Sequence, residues 1–213
     1  MTALVGRSQA RLVLWDFDGV VKESLAVKTE AFVQLFASYG ENVAAQVKAH
    51  HEANGGMSRF DKMPIYLRYA GEEPTQARVD ALCERFGRLV RQAVIDSPWV
   101  PGAERYLRTN PNRQVFAVIS ATPQEELEDI LRALDLRGCF DDAFGAPTSK
   151  SEAIRRVLSR HGIRPEDSLM VGDARADLDA ARANGVPFLL RRHEANEALF
   201  AGYEGPSVID MTE

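Results

Sequence analysis

Cysteine is scarce: Cys83 and Cys139 are the only two in 213 residues. They fall in stretches that read as a helix and a loop, without the spacing of a metal site or a disulfide framework. Reduced thiols of this kind suit a cytoplasmic protein. No apolar run approaches the roughly 18 residues that a membrane span needs. Residues Met1 to Arg11 lack the charged, then apolar, then small-residue order of a secretory signal. A basic stripe is missing as well. The 26 Lys and Arg are outnumbered by 31 Asp and Glu, both signs are interspersed, and the net charge is -5. Nucleic acid is therefore not an expected partner. No His or Cys cluster offers the softer ligands that zinc prefers. Internal repeats and low-complexity tracts are also absent.

What is present is 45% hydrophobic and 27% charged, the profile of a globular chain. Its length suits one large domain, or a core domain carrying a smaller insert. The most informative stretch is Leu12-Val13-Leu14-Trp15-Asp16-Phe17-Asp18-Gly19-Val20-Val21. An apolar run, the mark of a buried strand, ends abruptly in two carboxylates at i and i+2. Asp16 and Asp18 then stand just past a strand end, with Gly19 supplying a backbone shape that other residues resist. Carboxylates so close raise each other's pKa and attract a cation. Asp18-Gly19 alone is also an ordinary turn signal.

From Ser24 to Asp96 the pattern is helical. Phe32, Leu35, Phe36 and Tyr39 form one apolar face, and Val79, Leu82, Cys83, Phe86, Leu89, Val90 and Ala93 form another, between Pro74 and Pro98. A glycine-bearing loop, Asn54-Gly55-Gly56-Met57-Ser58-Arg59, interrupts them, and no strand pattern intervenes. Beyond the Pro98, Pro101, Gly102 linker and a short helix at Ala103 to Arg108, strands and helices alternate. Strands are expected at Val115 to Ile119, Ala143 to Gly145, Leu169 to Val171, Val186 to Leu190 and, weakly, Ser207 to Ile209. The helix Ala176 to Asn184 closes at Gly185. Such alternation predicts an α/β fold: a Rossmann-like parallel sheet with helices on both faces and an inserted all-helical cap. The core is expected from residues 1–21 and 98–213, the cap from 22–97.

In open parallel sheets, ligands bind outside the carboxyl ends of the strands. Those ends carry Asp16 and Asp18, then Ser120, then Gly172-Asp173 with Asp177 one helical turn on. Acids at separate strand ends suit magnesium, a hard cation that takes oxygen ligands. Thr122-Pro123-Gln124-Glu125 has capping-box spacing with proline at the first helical position, which places Ser120 before a helix N-terminus that attracts anions. Ser149-Lys150-Ser151-Glu152 repeats the box and sets Lys150 at the start of its helix, where its charge opposes the helix dipole. Taken singly, Ser120 also reads as a strand end and Lys150 as a solvated lysine. As a set they hold a nucleophile candidate, a second acid, a hydroxyl at an amide cluster and a cation, the parts that phosphoryl transfer needs.

At these residues the chain resembles the haloacid dehalogenase superfamily. Asp16-Phe17-Asp18-Gly19-Val20 is similar to its first motif, Ser120 to the second, Lys150 to the third and Gly172 to Asp177 to the fourth. The helical insert resembles the cap of the subgroup containing β-phosphoglucomutase and phosphoglycolate phosphatase. The resemblance implies that Asp16 attacks phosphorus and binds magnesium, and that Asp18 protonates the leaving oxygen and then activates water. It implies the carbonyl of Asp18 and the side chain of Asp173 as further metal ligands, with Asp177 behind them. It assigns Ser120, Ala121 and Lys150 to the phosphate. In the cap, Arg59 is the expected grip on substrate, with Lys22 at the hinge as a further candidate; as an exposed loop residue Arg59 would have no such role. His50-His51 reads as a surface helix pair, and Arg175 as a partner of a neighbouring acid. Two departures weaken substrate inference: Ser151 follows Lys150 where many relatives have proline, and Lys22-Glu23-Ser24 stands where many have Asp-Ser or Asp-Thr. The expectation is a magnesium-dependent phosphatase of a small phosphorylated metabolite, a sugar or organic acid phosphate. A phosphomutase is the alternative. A non-catalytic phosphate-binding protein is the alternative of another class, opposed by the presence of every core motif residue.

Overall fold

Strand β1, Leu12–Trp15, is the buried centre of a six-stranded sheet. Its side chains alternate faces, as the pleat requires. Leu12 and Leu14 join one core cluster, and Val13 and Trp15 another on the opposite face. The computed structural model describes residues 9–212, so most of the Met1 to Arg11 stretch lies outside the described residues. From β1 the chain passes into four helices: α1 (Leu25–Phe36), α2 (Glu41–Ala53), α3 (Arg59–Tyr69) and α4 (Gln76–Asp96). A short helix α5 (Ala103–Thr109) follows, then β2 (Val115–Pro123), α6 (Gln124–Ala133), β3 (Asp142–Ala146), α7 (Lys150–His161), β4 (Ser168–Gly172), α8 (Arg175–Ala183), β5 (Phe188–Arg191) and β6 (Ser207–Val208). No described helix is long and apolar enough to cross a membrane.

The strand order is β3-β2-β1-β4-β5-β6, every pair parallel. The chain moves outward on one side of β1 and then restarts on the other. That reversal puts a crevice at the carboxyl end of β1, between β2 and β4. Both faces of the sheet are covered, so its strands read as nearly continuous apolar runs. Each large apolar side chain fully buried there contributes roughly 1.5–3 kcal/mol.

The cluster containing Trp15 extends without interruption into the inserted helices, through Phe32, Met63, Tyr66 and Phe86. The two connections to those helices lie side by side. Glu23 N–H donates to Pro98 O at 2.8 Å, Val100 N–H donates to Val21 O at 3.0 Å, and Lys22 pairs antiparallel with Trp99. Lys22 is buried in this ribbon, its ammonium 3.0 Å from Ile95 O and 4.2 Å from the centroid of the Trp99 ring. It fastens the junction and does not line the cleft.

Some details depart from the sequence expectations. Helix α1 ends at Phe36, so Tyr39 falls in a short 3-10 turn and is exposed. Leu89, counted on the apolar stripe of α4, is also exposed. Strand β2 runs on to Pro123, its pairing with β3 shifting register between Ile119 and Pro123. Helix α6 therefore begins at Gln124, and Pro123 precedes it instead of occupying its first turn.

Candidate active site

Asp16 is the first residue beyond β1, still knitted to β4 by its N–H donating to Val171 O at 2.9 Å. The chain then turns sharply. Phe17 O accepts the N–H groups of Val21 at 2.8 Å and Lys22 at 3.2 Å, and Gly19 N–H donates to Lys22 O at 2.7 Å. Gly19 has φ +76°, and a Cβ there would lie 2.4 Å from Asp173 Oδ2. Both the left-handed backbone and the close approach demand glycine. Replacing it with alanine is expected to cost about 1–2 kcal/mol in backbone strain and to push Asp173 aside. Thermal denaturation should report the modest first effect, and activity a much larger loss.

Lys150 opens α7, and Ser149 caps that helix by accepting from Glu152 N–H at 3.2 Å, as the sequence motif predicts. This placement drives the buried ammonium between two carboxylates, 3.0 Å from Asp16 Oδ1 and 2.5 Å from Asp177 Oδ1. The other oxygen of Asp177 accepts from Ala174 N–H at 3.0 Å, closing the first turn of α8. Asp173 is held from the far side, its Oδ2 2.9 Å from His193 Nε2 and its carbonyl 2.9 Å from Asn196 Nδ2. Asp16, Asp173 and Asp177 each present an oxygen within 4.8 Å of the others, all buried. Burial, then the charge of Asp177, push the Asp16 carboxyl up to about 7 against the pull of Lys150. Burial likewise raises Asp173 and Asp177. It would depress Lys150, but Asp16 and Asp177 reverse that and raise it. Buried carboxylates in excess of ammonium, offering only hard oxygen donors, fit a divalent cation such as magnesium.

Asp18 has different neighbours. Ser24 Oγ donates to its Oδ1 at 2.6 Å, Lys28 from α1 ion-pairs with its Oδ2, and Thr122 Oγ1 lies 3.4 Å away. Burial opposes ionisation, but Lys28 and the Ser24 hydroxyl together bring the carboxyl below its ordinary value. The expected capping box at Thr122 is not formed, because its hydroxyl serves Asp18 and Lys28 (3.0 Å) and the register shift carries β2 past it. Ser120 is buried, its Oγ accepting from Thr122 N–H at 3.1 Å, while Ala121 lines the cleft.

That cleft, about 1000 Å³, lies between the strand ends and the inserted helices. Gly55 and Gly56 lie against the fourth-motif loop, where a Cβ on Gly56 would come within 3.1 Å of Ala176 and 3.5 Å of the Lys150 ammonium. Arg59 reaches the cleft but is committed: its guanidinium donates to both oxygens of Glu126 on α6, at 2.8 and 2.6 Å, and rests over Phe86. This pair joins the inserted helices to the sheet domain. His51 is not a surface residue: it is buried beside Phe32, on the same face of α2 as Val47. Arg175 pairs with no acid among the described residues; it donates to Leu199 O at 3.1 Å and covers Phe200. Lys28, Lys62, His193 and Asn196 carry no motif in the sequence, and Thr122 reads there only as a helix cap, although all five line the cleft.

Residues 10–185 match the family described as haloacid dehalogenase-like hydrolase. Phosphoglycolate phosphatase 1 of Pseudomonas aeruginosa is 27% identical over 208 residues, covering 93% of this chain and 75% of its own. The phosphorylated carbohydrates phosphatase of Thermotoga maritima is 24% identical over 180 residues, covering 82% of this chain and 81% of its own. The β-phosphoglucomutase of Clostridium difficile shares the fold, with a TM-score of 0.76 at 16% identity over 95% of this chain and 92% of that one. The chain therefore belongs to the haloacid dehalogenase-like hydrolases.

Proposed function

We propose that the protein is a magnesium-dependent phosphatase of a small phosphorylated metabolite, a sugar or organic acid phosphate, acting through an aspartyl-phosphate on Asp16. One observation supports this most directly. Asp16, Asp173 and Asp177 present buried carboxylate oxygens within 4.8 Å of one another, with the Lys150 ammonium 3.0 Å from Asp16 and with Asp18 facing the same cleft. Clustered hard oxygen donors beside one buried cation are the parts that position a phosphoryl group and stabilise its charge.

Asp16 Oδ attacks phosphorus as the bond to the leaving oxygen breaks, and a protonated Asp18 delivers its proton to that oxygen. Asp18, then ionised, takes a proton from water as the water attacks the aspartyl-phosphate, and inorganic phosphate leaves. Ser120, Ala121 and Lys150 hold the phosphoryl oxygens. Asp16, the Asp18 carbonyl and Asp173 would hold magnesium, with Asp177 behind them, and the bound ion supplies positive charge that favours ionised Asp16. Residues 22–97 act as a cap over the core of 1–21 and 98–213, excluding water from the site.

A screen of phosphorylated metabolites with magnesium, read as release of inorganic phosphate, tests the proposal. Phosphate that stays on the organic product would indicate a mutase instead. The Arg59–Glu126 pair assists cap closure in this scheme and does not grip substrate. Glu126→Gln is therefore expected to raise KM by roughly tenfold, about 1.4 kcal/mol of closure energy, equally for an aryl phosphate and for the metabolite. Unequal effects would return Arg59 to the list of substrate contacts.

A further inference from the structure

Five lysine and arginine side chains line the cleft: Lys28, Lys48, Arg59, Lys62 and Lys150. Four of them face an acid. Lys28 meets Asp18, Lys48 meets Glu52, Arg59 meets Glu126, and Lys150 meets Asp16 and Asp177. Lys62 meets none among the described residues, although only 2% of it is exposed. Its one polar partner there is His51 Nδ1 at 2.8 Å, and the Phe32 ring lies 5.6 Å away. Burial pushes the ammonium down to about 7 and the His51 imidazole down to about 3. A neutral His51 offers Nδ1 as acceptor to one Lys62 N–H, and among the described residues the other ammonium N–H groups meet no acceptor.

A buried ammonium without a counter-ion is costly, and such groups in clefts mark ligand sites. Its neighbours also locate it. After burial, the charges that act on Lys62 are those of Lys28 and Asp18. Lys62 also lines the same cleft as Asp18 and Lys28, and with Asp18 serving the leaving oxygen in the scheme above, that sets Lys62 on the leaving-group side. Arg59, held by Glu126, cannot supply the cation there.

We propose that Lys62, backed by His51, is a specificity-determining residue that binds a second anionic group, a carboxylate or another phosphate, on the substrate's leaving group. This rests on the phosphatase reading above. The matched probes are 2-phosphoglycolate, which carries a carboxylate, and 2-hydroxyethyl phosphate, which has a neutral alcohol in its place. A pentose bisphosphate and p-nitrophenyl phosphate complete the set. The wild-type kcat/KM is expected to favour a charged ester over 2-hydroxyethyl phosphate by roughly 30-fold, the scale of one charge-assisted hydrogen bond. Lys62→Met should abolish that preference, mainly through KM, and lower p-nitrophenyl phosphate turnover by no more than about threefold. Its melting temperature should hold or rise, because a buried charge is lost. Whichever charged ester suffers the larger loss identifies the second anion. Equal wild-type kcat/KM for charged and neutral esters, a comparison that needs no variant, would overturn the proposal. So would equal losses on all four esters in Lys62→Met. If no ester is turned over with magnesium present, the phosphatase reading fails, and calorimetry then tests Lys62 by itself. Binding of 2-phosphoglycolate about tenfold tighter than 2-hydroxyethyl phosphate would uphold the site, and equal binding would remove it.

Discussion

Asp16→Asn is expected to reduce turnover by at least about 10³-fold while the protein stays folded. The amide has the size and shape of the carboxylate but no anionic oxygen to form a bond to phosphorus. Its effect on stability should be small or favourable. Asp16 is buried beside Asp177 and Asp18, whose charges disfavour its ionised form, so a neutral group relieves repulsion, and Lys150 keeps Asp177 as a partner. Phosphate-release kinetics alongside a thermal melt would separate the two effects. Residual activity within about tenfold of wild type would show that another group makes the bond.

Asp18→Asn is expected to have the next largest effect, and the effect should depend on the leaving group. For an alkyl phosphate the departing alkoxide needs a proton, and loss of the general acid should cost about 10²- to 10⁴-fold. For p-nitrophenyl phosphate the departing phenolate needs none, so Asp16 should still be phosphorylated. Hydrolysis of that intermediate would be slow for want of a base. Stopped-flow absorbance should then record a burst of phenolate, close to one per site, followed by slow turnover. Equal losses on both esters without a burst would place Asp18 outside proton transfer. The present contacts, with Lys28 and Ser24 both stabilising the carboxylate, favour the ionised form that accepts a proton from water.

Much of this site could be read from the residues themselves. An apolar strand that stops at Asp16, the Ser149 cap that sets Lys150, and Asp173 after an apolar run are local features, and local features follow from short-range physics. What escaped the reading depends on partners remote in sequence. Thr122 has every property of a helix cap, yet its hydroxyl is claimed by Asp18 and Lys28, 104 and 94 residues away. Lys62 lies on the buried face of α3 with Met63, Tyr66 and Leu67. From sequence a lysine there is expected to be solvated, and only the packing of α1 and α2 against it removes the water. Val47 and His51 do share an i, i+4 face, a signal available in the sequence but outweighed by the adjacent His50. His193 and Asn196 follow the fifth strand at a short 3-10 turn, Glu194–Asn196, that carries no sequence motif, so nothing local announced that they would hold Asp173.

The paired crossing at Glu23–Pro98 and Val21–Val100 leaves the chain's exit from the sheet and its return as immediate neighbours. The intervening helices are thus an excursion that begins and ends at one place, and no strand depends on their length for its order. A graft from another protein, or a short peptide bridging Lys22 to Trp99, would leave the connectivity of the sheet unchanged.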